Sequence, residues 1–416
     1  MRYAKYKKTG IEWLPQVPAE WEVKKVRQCF NLRSQKVSEE DYAPLSVAKM
    51  GIVPKLEDAA ISLAEGDTRK LVRKNDYVVN SRSDRKGSCG IAPCDGSVTT
   101  ISIVLEPKNV VPRYIHYLFR STPWVEEFYR NGRGIVADLW TTRYQEMRNM
   151  QFPYPPLAEQ EKIVKYLDEK CGKIDEAVKA KEREVELLKE CKQSLIAEAV
   201  TKGVQGKRKM KQTGIEWLPQ VPAEWEVKRA KYLFVKHQRP VNELCDIVTA
   251  FRDGQVTLRK NRRLTGFTEA TDYSGYQMIC KGDLVIHQMD AFAGCAGVSD
   301  SDGMGSPILI ACLPRREDVN VHYYAHVVRL MGHNGYIKSL ARGIRERSSD
   351  FRYDTFARQY LPIPPLAEQE KIVKYLDEKC GKIDEAVKAK EHEVELLKEL
   401  KQSVIAEAVT GQRKVV

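Results

Sequence analysis

Five groups of side chains could do chemistry, and all five are suited to binding anions and hydrogen-bonding flat polar edges. The first is a polar run, Ser81, Arg82, Ser83, Arg85 and Lys86, placed directly after the short β-like run 76–80. The second is Arg133 with Thr141, Thr142 and Arg143. Farther along come Arg259, Lys260, Arg262 and Arg263, then His287 with Gln288, then Arg342, Arg345, Arg347, Ser348 and Arg352. Lys and Arg neutralise phosphates, while Arg, Gln, Ser and Thr on loops reach base edges in a groove. For any single Arg the alternative is a solvated surface charge. As clusters they point to a polyanion, because their positions correspond between two otherwise different segments.

Other chemistries lack their residues. There is no Gly-x-x-x-x-Gly-Lys-Ser/Thr phosphate loop, no Gly-rich turn suited to S-adenosylmethionine, and no Asn-Pro-Pro-aromatic motif, since Pro153-Tyr154-Pro155-Pro156 lacks the Asn. His322 and His326 share a helical face, but no Glu follows His322 as a zinc protease would need, so they read as packing or surface histidines. Ten cysteines contain no CxxC pair, which favours reduced thiols in a cytoplasmic protein over zinc ligands or disulfides. No apolar run is long enough to span a membrane and no signal peptide opens the chain.

The elements that must position these groups are set by a repeat. Residues 155–201 recur at 364–410 with three differences in 47 positions: Arg183 against His392, Cys191 against Leu400, Leu195 against Val404. Each copy opens on a Pro pair followed by Leu-Ala-Glu-Gln-Glu-Lys-Ile and continues in good helix formers, so each reads as one helix of about 45 residues, ~65 Å at 1.5 Å per residue. The apolar seam runs Leu167, Cys171, Ile174, Val178, Val185, Leu188, Leu195 and Ala199, with Lys181 and Lys192 interrupting. The second copy offers Leu376, Ile383, Val387, Val394, Leu397 and Val404. Alternating steps of three and four are the pattern of a coiled coil, and a rod with one apolar stripe needs a partner, here the other copy.

A second repeat precedes each helix. Thr9 to Lys24 returns unchanged at Thr213 to Lys228, with two Trp and two Pro in sixteen residues, which reads as an extended strap whose indoles pack on a domain. Between strap and helix lie segments 26–150 and 230–361, with short β-like runs and a helical stretch near 113–129; Lys281–His287 stands where Lys74–Asn80 stood, and Arg342-Gly343-Ile344 answers Arg133-Gly134-Ile135. The fold class is therefore mixed α/β (α+β), divided as 1–154, 155–203, 204–363 and 364–416: domain, helix, domain, helix. Residues 202–209 read as a flexible basic joint. The long helices carry −2 and −3, so against the net +12 the remainder carries about +17, an excess suited to a polyanion.

This arrangement resembles the specificity subunit of type I restriction-modification systems. The carrying motifs are the Trp-Leu-Pro…Pro-Ala-Glu-Trp-Glu-Val straps and the Pro-Pro-Leu-Ala-Glu-Gln-Glu-Lys-Ile-Val helix openings, each present twice. The resemblance implies two target recognition domains, each reading one half of a split, asymmetric site in double-stranded DNA, and two helices that pair antiparallel and set the distance between the halves. It implies two methyltransferase subunits as partners and, where present, two restriction and translocase subunits, with no chemistry in this chain. It also implies no cofactor in this chain: S-adenosylmethionine belongs to the methyltransferase, ATP and Mg to the nuclease subunit. The competing function is a structural adaptor that binds proteins through a coiled-coil frame. The basic excess, and divergence confined to the two domains, favour the first.

Overall fold

A computed structural model describes residues 2–55, 69–134, 140–241, 245–262, 265, 273–340 and 350–415. The chain divides into two units, 1–182 with 391–416, and 183–390. The divisions fall inside the two long helices, Leu157–Lys202 and Leu366–Val409. Each unit therefore owns a mixed α/β domain, the opening half of the helix that follows it, and the closing half of the other helix.

In the first unit the sixteen-residue strap is a β-hairpin, Tyr6–Ile11 against Leu14–Pro18, with a register shift between Lys8 and Ile11. Glu22–Lys25 then pairs with Gln151–Tyr154, tying the two ends of the domain together. The centre is a four-stranded antiparallel sheet in the order Cys89–Ile91, Tyr77–Asn80, Ser102–Pro107, Phe30–Leu32, beside a three-stranded sheet Gly96–Thr99, Arg69–Val72, Lys36–Val37. The helical stretch expected as one piece is two, Pro112–Arg120 and Thr122–Arg130. Ser121 is extended (φ −68°, ψ 142°) and Pro123 stands in the first turn of the second helix, where its missing N–H costs no bond. The break lets Trp124 fold back and stack on Phe119, ring centroids 4.2 Å apart.

The second unit repeats this plan with different residues. Its strap hairpin is Met210–Ile215 against Leu218–Pro222, its closing pair Glu226–Arg229 against Tyr360–Ile363, and its central sheet Phe234–Lys236, Leu309–Pro314, Leu284–His287, Ala296–Val298. The turn that starts the central strand shows why the two domains align. Asn75 and Gly282 occupy it with φ of 71° and 91°, a left-handed region open to Gly and tolerated by Asn. The next residue, Asp76 or Asp283, is buried and receives Arg33 (2.7 Å) or Arg239 (2.5 Å).

The paired helices are held the same way in both units. In the first, Lys181 meets Glu393 at 3.0 Å and Lys401 meets Asp175 at 2.7 Å; in the second, Lys390 meets Glu184 at 3.1 Å and Lys192 meets Asp384 at 2.6 Å. Followed along the first helix, partners on the second fall from 401 to 393 between residues 175 and 181, and from 390 to 384 between 184 and 192, so each pair of segments is antiparallel. The lysines that interrupt the apolar seam are thus cross-helix ion pairs that fix its register. Leu167, Val178, Val185, Leu376, Val387, Val394 and Val404 are buried, whereas Ile174, Leu188, Leu195, Ile383 and Leu397 are half-buried. Ile163, Ile196 and Val200, outside the expected seam, are also buried. They join the cores of the two domains, which residues of the opposite helix also enter.

The strap and the helix opening, two motifs far apart in sequence, are one device. Glu159 accepts the Trp21 indole N–H at 2.9 Å and the Tyr3 hydroxyl at 2.5 Å; Glu368 accepts the Trp225 indole N–H at 2.9 Å and Arg208 at 2.5 Å. Next in each helix, buried Gln160 accepts from Val111 N (2.9 Å) and donates to Pro155 O (2.9 Å), and buried Gln369 accepts from Asn320 N (2.8 Å) and donates to Pro364 O and Asp318 O. The supposed flexible joint at 202–209 is corrected by the same contacts. Arg208 is 14% exposed and bonded to Glu224, Glu368 and the Lys202 carbonyl, so a basic residue that looked like linker is a structural cation.

Candidate nucleic-acid interface

The strand Tyr77–Asn80 delivers Ser81 and Arg82 to one edge of the first domain, and the segment entering the short helix Tyr144–Met147 delivers Thr141, Thr142 and Arg143 to the same place. Isolated bridges join Arg82 to Thr141 and Thr141 to Arg133. Ser81, Arg82, Thr141 and Arg143 line a cleft of about 570 Å³ together with Leu32, Lys70, Thr100, Ile101, Ile103 and Tyr144.

Not every expected residue faces outward. Ser81 is buried and donates to Ile101 O (2.7 Å); Thr142 is buried and donates to Phe128 O (2.8 Å). The Ser83 hydroxyl is also buried. The Ser81 and Thr142 hydroxyls position the edge. Arg82 is steered by Asp84 (3.0 Å), Arg85 lies near the same carboxylate (3.8 Å), Lys86 pairs with Glu126 (2.6 Å), and Arg133, 85% exposed, lies 3.7 Å from Glu146. Arg143 is exposed. Lys70 was not singled out, because a lone Lys in a strand gives no signal. It donates to Ser102 O at 2.7 Å, and burial pulls its pKa down.

In the second domain His287 and Gln288 occupy the positions of Asn80 and Ser81, in register with Leu309 where Asn80 faces Ser102. His287 Nδ1 accepts from Asp290 N at 3.0 Å and lies 3.4 Å from the Asp290 carboxylate; burial lowers its pKa, against the pull of that carboxylate. Gln288 donates weakly to Pro307 O at 3.4 Å. Arg352, exposed, pairs with Asp350 at 2.6 Å. Lys260 pairs with Asp246 (2.5 Å), and Arg262 pairs with Asp253 (2.6 Å) above the Phe251 ring, while Arg259 is half-buried. Arg263, Arg342, Arg345, Arg347 and Ser348 lie outside the described residues. Of the two histidines set aside earlier, His322 is exposed on the helix Val321–His333 and His326 is packed beneath it, its pKa pushed down to about 4 chiefly by burial. Among the described residues no helix is long and apolar enough to cross a membrane.

Each of the two mixed α/β domains is latched to a long helix and presents polar side chains just past the end of a central strand. Residues 18–187 match the family described as the type I restriction modification DNA specificity domain. It is 26% identical over 164 residues to the type I restriction enzyme MjaVIII specificity subunit of Methanocaldococcus jannaschii, a match covering 39% of this chain and 36% of that protein. Two solved structures share the fold. One, described as the structural basis underlying complex assembly and conformational transition of the type I R-M system, has a TM-score of 0.68 at 15% identity, covering 94% of this chain and 98% of its own. The other, the HsdS subunit from Thermoanaerobacter tengcongensis, has a TM-score of 0.50 at 18% identity, covering 99% of this chain and all of its own.

Proposed function

We propose that this chain is the sequence-reading subunit of a cytoplasmic type I restriction-modification complex. Each domain reads one half of a bipartite, asymmetric site in double-stranded DNA, and the helices hold two methyltransferase subunits, with restriction and translocase subunits joining where they exist. The chain contributes no catalysis. S-adenosylmethionine is held by the methyltransferase, and ATP and Mg by the nuclease subunit.

The observation that carries this reading is the doubled design. The indole–carboxylate latch, the buried glutamine and the cross-helix ion pairs recur residue for residue, while the strand-end edges they support differ. A frame held constant with a variable edge is what two readers of different sequences on one assembly require. The test is the methylation pattern of genomic DNA from cells with and without this chain. A motif of two specified parts, methylated only when the chain is present, is the expected result; identical methylation in both would defeat the assignment.

A further inference from the structure

The two strand-end edges share one backbone construction with different side chains, which separates positioning from reading. In the first domain Thr142 N donates to Ser81 O at 2.9 Å; in the second Phe351 N donates to Gln288 O at 3.1 Å. Thr142 and Phe351 are buried, so each pins the chain to the sheet edge, and the residue after each emerges from the core in the same extended conformation: Arg143 at φ −82°, ψ 167° and Arg352 at φ −72°, ψ 164°. Both arginines are exposed. Around them the residues change, with Arg82 answered by Met289, Thr141 by Asp350, and Thr100 by Pro307.

We propose that Arg143 and Arg352 are the shared phosphate anchors of the two domains, and that the position two residues past the strand end, Arg82 or Met289, reads a base. The proposal rests on the DNA-reading assignment above. A contact that carries no sequence information can keep its residue type in both domains, whereas one that reads sequence must differ when the half-sites differ. Arg352 spends its guanidinium only on the exposed Asp350 in the described structure, a pair that solvent already weakens, so a phosphate can displace the carboxylate. Arg82 is oriented by its Nε bond to Asp84 and lines the cleft, the arrangement needed to meet the two acceptors of guanine; Met289, 43% exposed, offers an apolar tip of the kind that packs on a thymine methyl.

The test uses the full chain copurified with its methyltransferase, read by labelled-duplex binding across a salt series and by sequencing of methylated DNA. Arg143→Ala and Arg352→Ala should each weaken binding to all duplexes alike, reduce the salt slope by about one, and leave the methylated motif unchanged. Arg143→Lys should restore the slope. Arg82→Met should lower discrimination at one position of one half-site by about 10- to 100-fold, the size expected of a lost bidentate base contact, and leave the other half intact. Relaxation of the motif by Arg143→Ala, an unchanged slope in that variant, or an unaltered motif in Arg82→Met would each overturn the proposal. Parent complex that binds no duplex at any salt would instead remove the DNA-reading assignment itself.

Discussion

The latch and the reading edge make opposite use of similar residues. At the latch, Glu159 and Glu368 receive an indole N–H at the same 2.9 Å in both units, and the glutamines that follow are buried in both. At the edge, Ser81 answers Gln288 and Arg82 answers Met289, while the backbone bond beneath them and the arginine that follows it persist. Buried polar groups must be satisfied by specific partners, so drift at the latch carries a penalty, whereas an exposed edge can change its side chains with little effect on folding. The comparison teaches where stability resides and where specificity can vary.

The two latches are not equal, and the inequality predicts the largest stability effect. Glu368 is 7% exposed and neutralises Arg208, itself 14% exposed; Glu159 is half-buried and binds only neutral donors. Removing one partner of a buried ion pair costs about 3–5 kcal/mol, whereas stranding neutral donors costs about 1–3 kcal/mol. Glu368→Ala should therefore lower the denaturation midpoint more than Glu159→Ala. Equal losses in chemical denaturation would refute the difference.

Gln369 and Gln160 give the next contrast. Replacing either with Leu keeps the volume but strands backbone groups, at about 1–3 kcal/mol each. Gln369, with three bonds against two for Gln160, should show the larger loss by thermal melting.

Much of this design was legible in the sequence, for identifiable reasons. Heptad spacing depends only on local period, so the seam and its need for a partner could be read directly. The lysines at 181 and 192 could be seen to break the seam, but not to pair with Glu393 and Asp384, because a partner two hundred residues away leaves no local trace. The same limit hid the latch: Glu159 stood only as one residue of a repeated helix opening and Arg208 as linker charge. At the edge, Ser81 and Thr142 looked identical to reading residues, since a buried hydroxyl and an exposed one have the same letter. Lys70 was invisible until the strands assembled.

Smaller effects follow from two half-buried histidines with the same shift, His116 and His326. Burial, aided by Arg120 and Arg113 around His116 and by Arg329 around His326, pushes both from 6.5 down to about 4. The folded state thus binds fewer protons than the unfolded state in that window, so the stability tied to neutral imidazole is complete above about 6.5 and is lost as pH falls toward 4. Denaturation across pH 4–7 should show stability falling with acid, and His326→Phe should flatten part of that slope; an unchanged slope would show that other groups dominate. The smallest effect belongs to the exposed pairs. Lys192→Glu, facing Asp384, should cost about 1 kcal/mol or less at low salt, and Lys192→Glu with Asp384→Lys should recover it. A loss that persists at high salt would point to packing instead of charge.

The central claim is that two domains on one repeated frame read two half-sites independently. Exchange of residues 26–150 for the corresponding segment of a relative with a different motif tests it most directly, because the strap, latch and helix seam stay native. Sequencing of methylated DNA from cells carrying the exchanged chain should show one half of the motif replaced and the other retained. Simultaneous change in both halves, with the complex still active, would contradict the account.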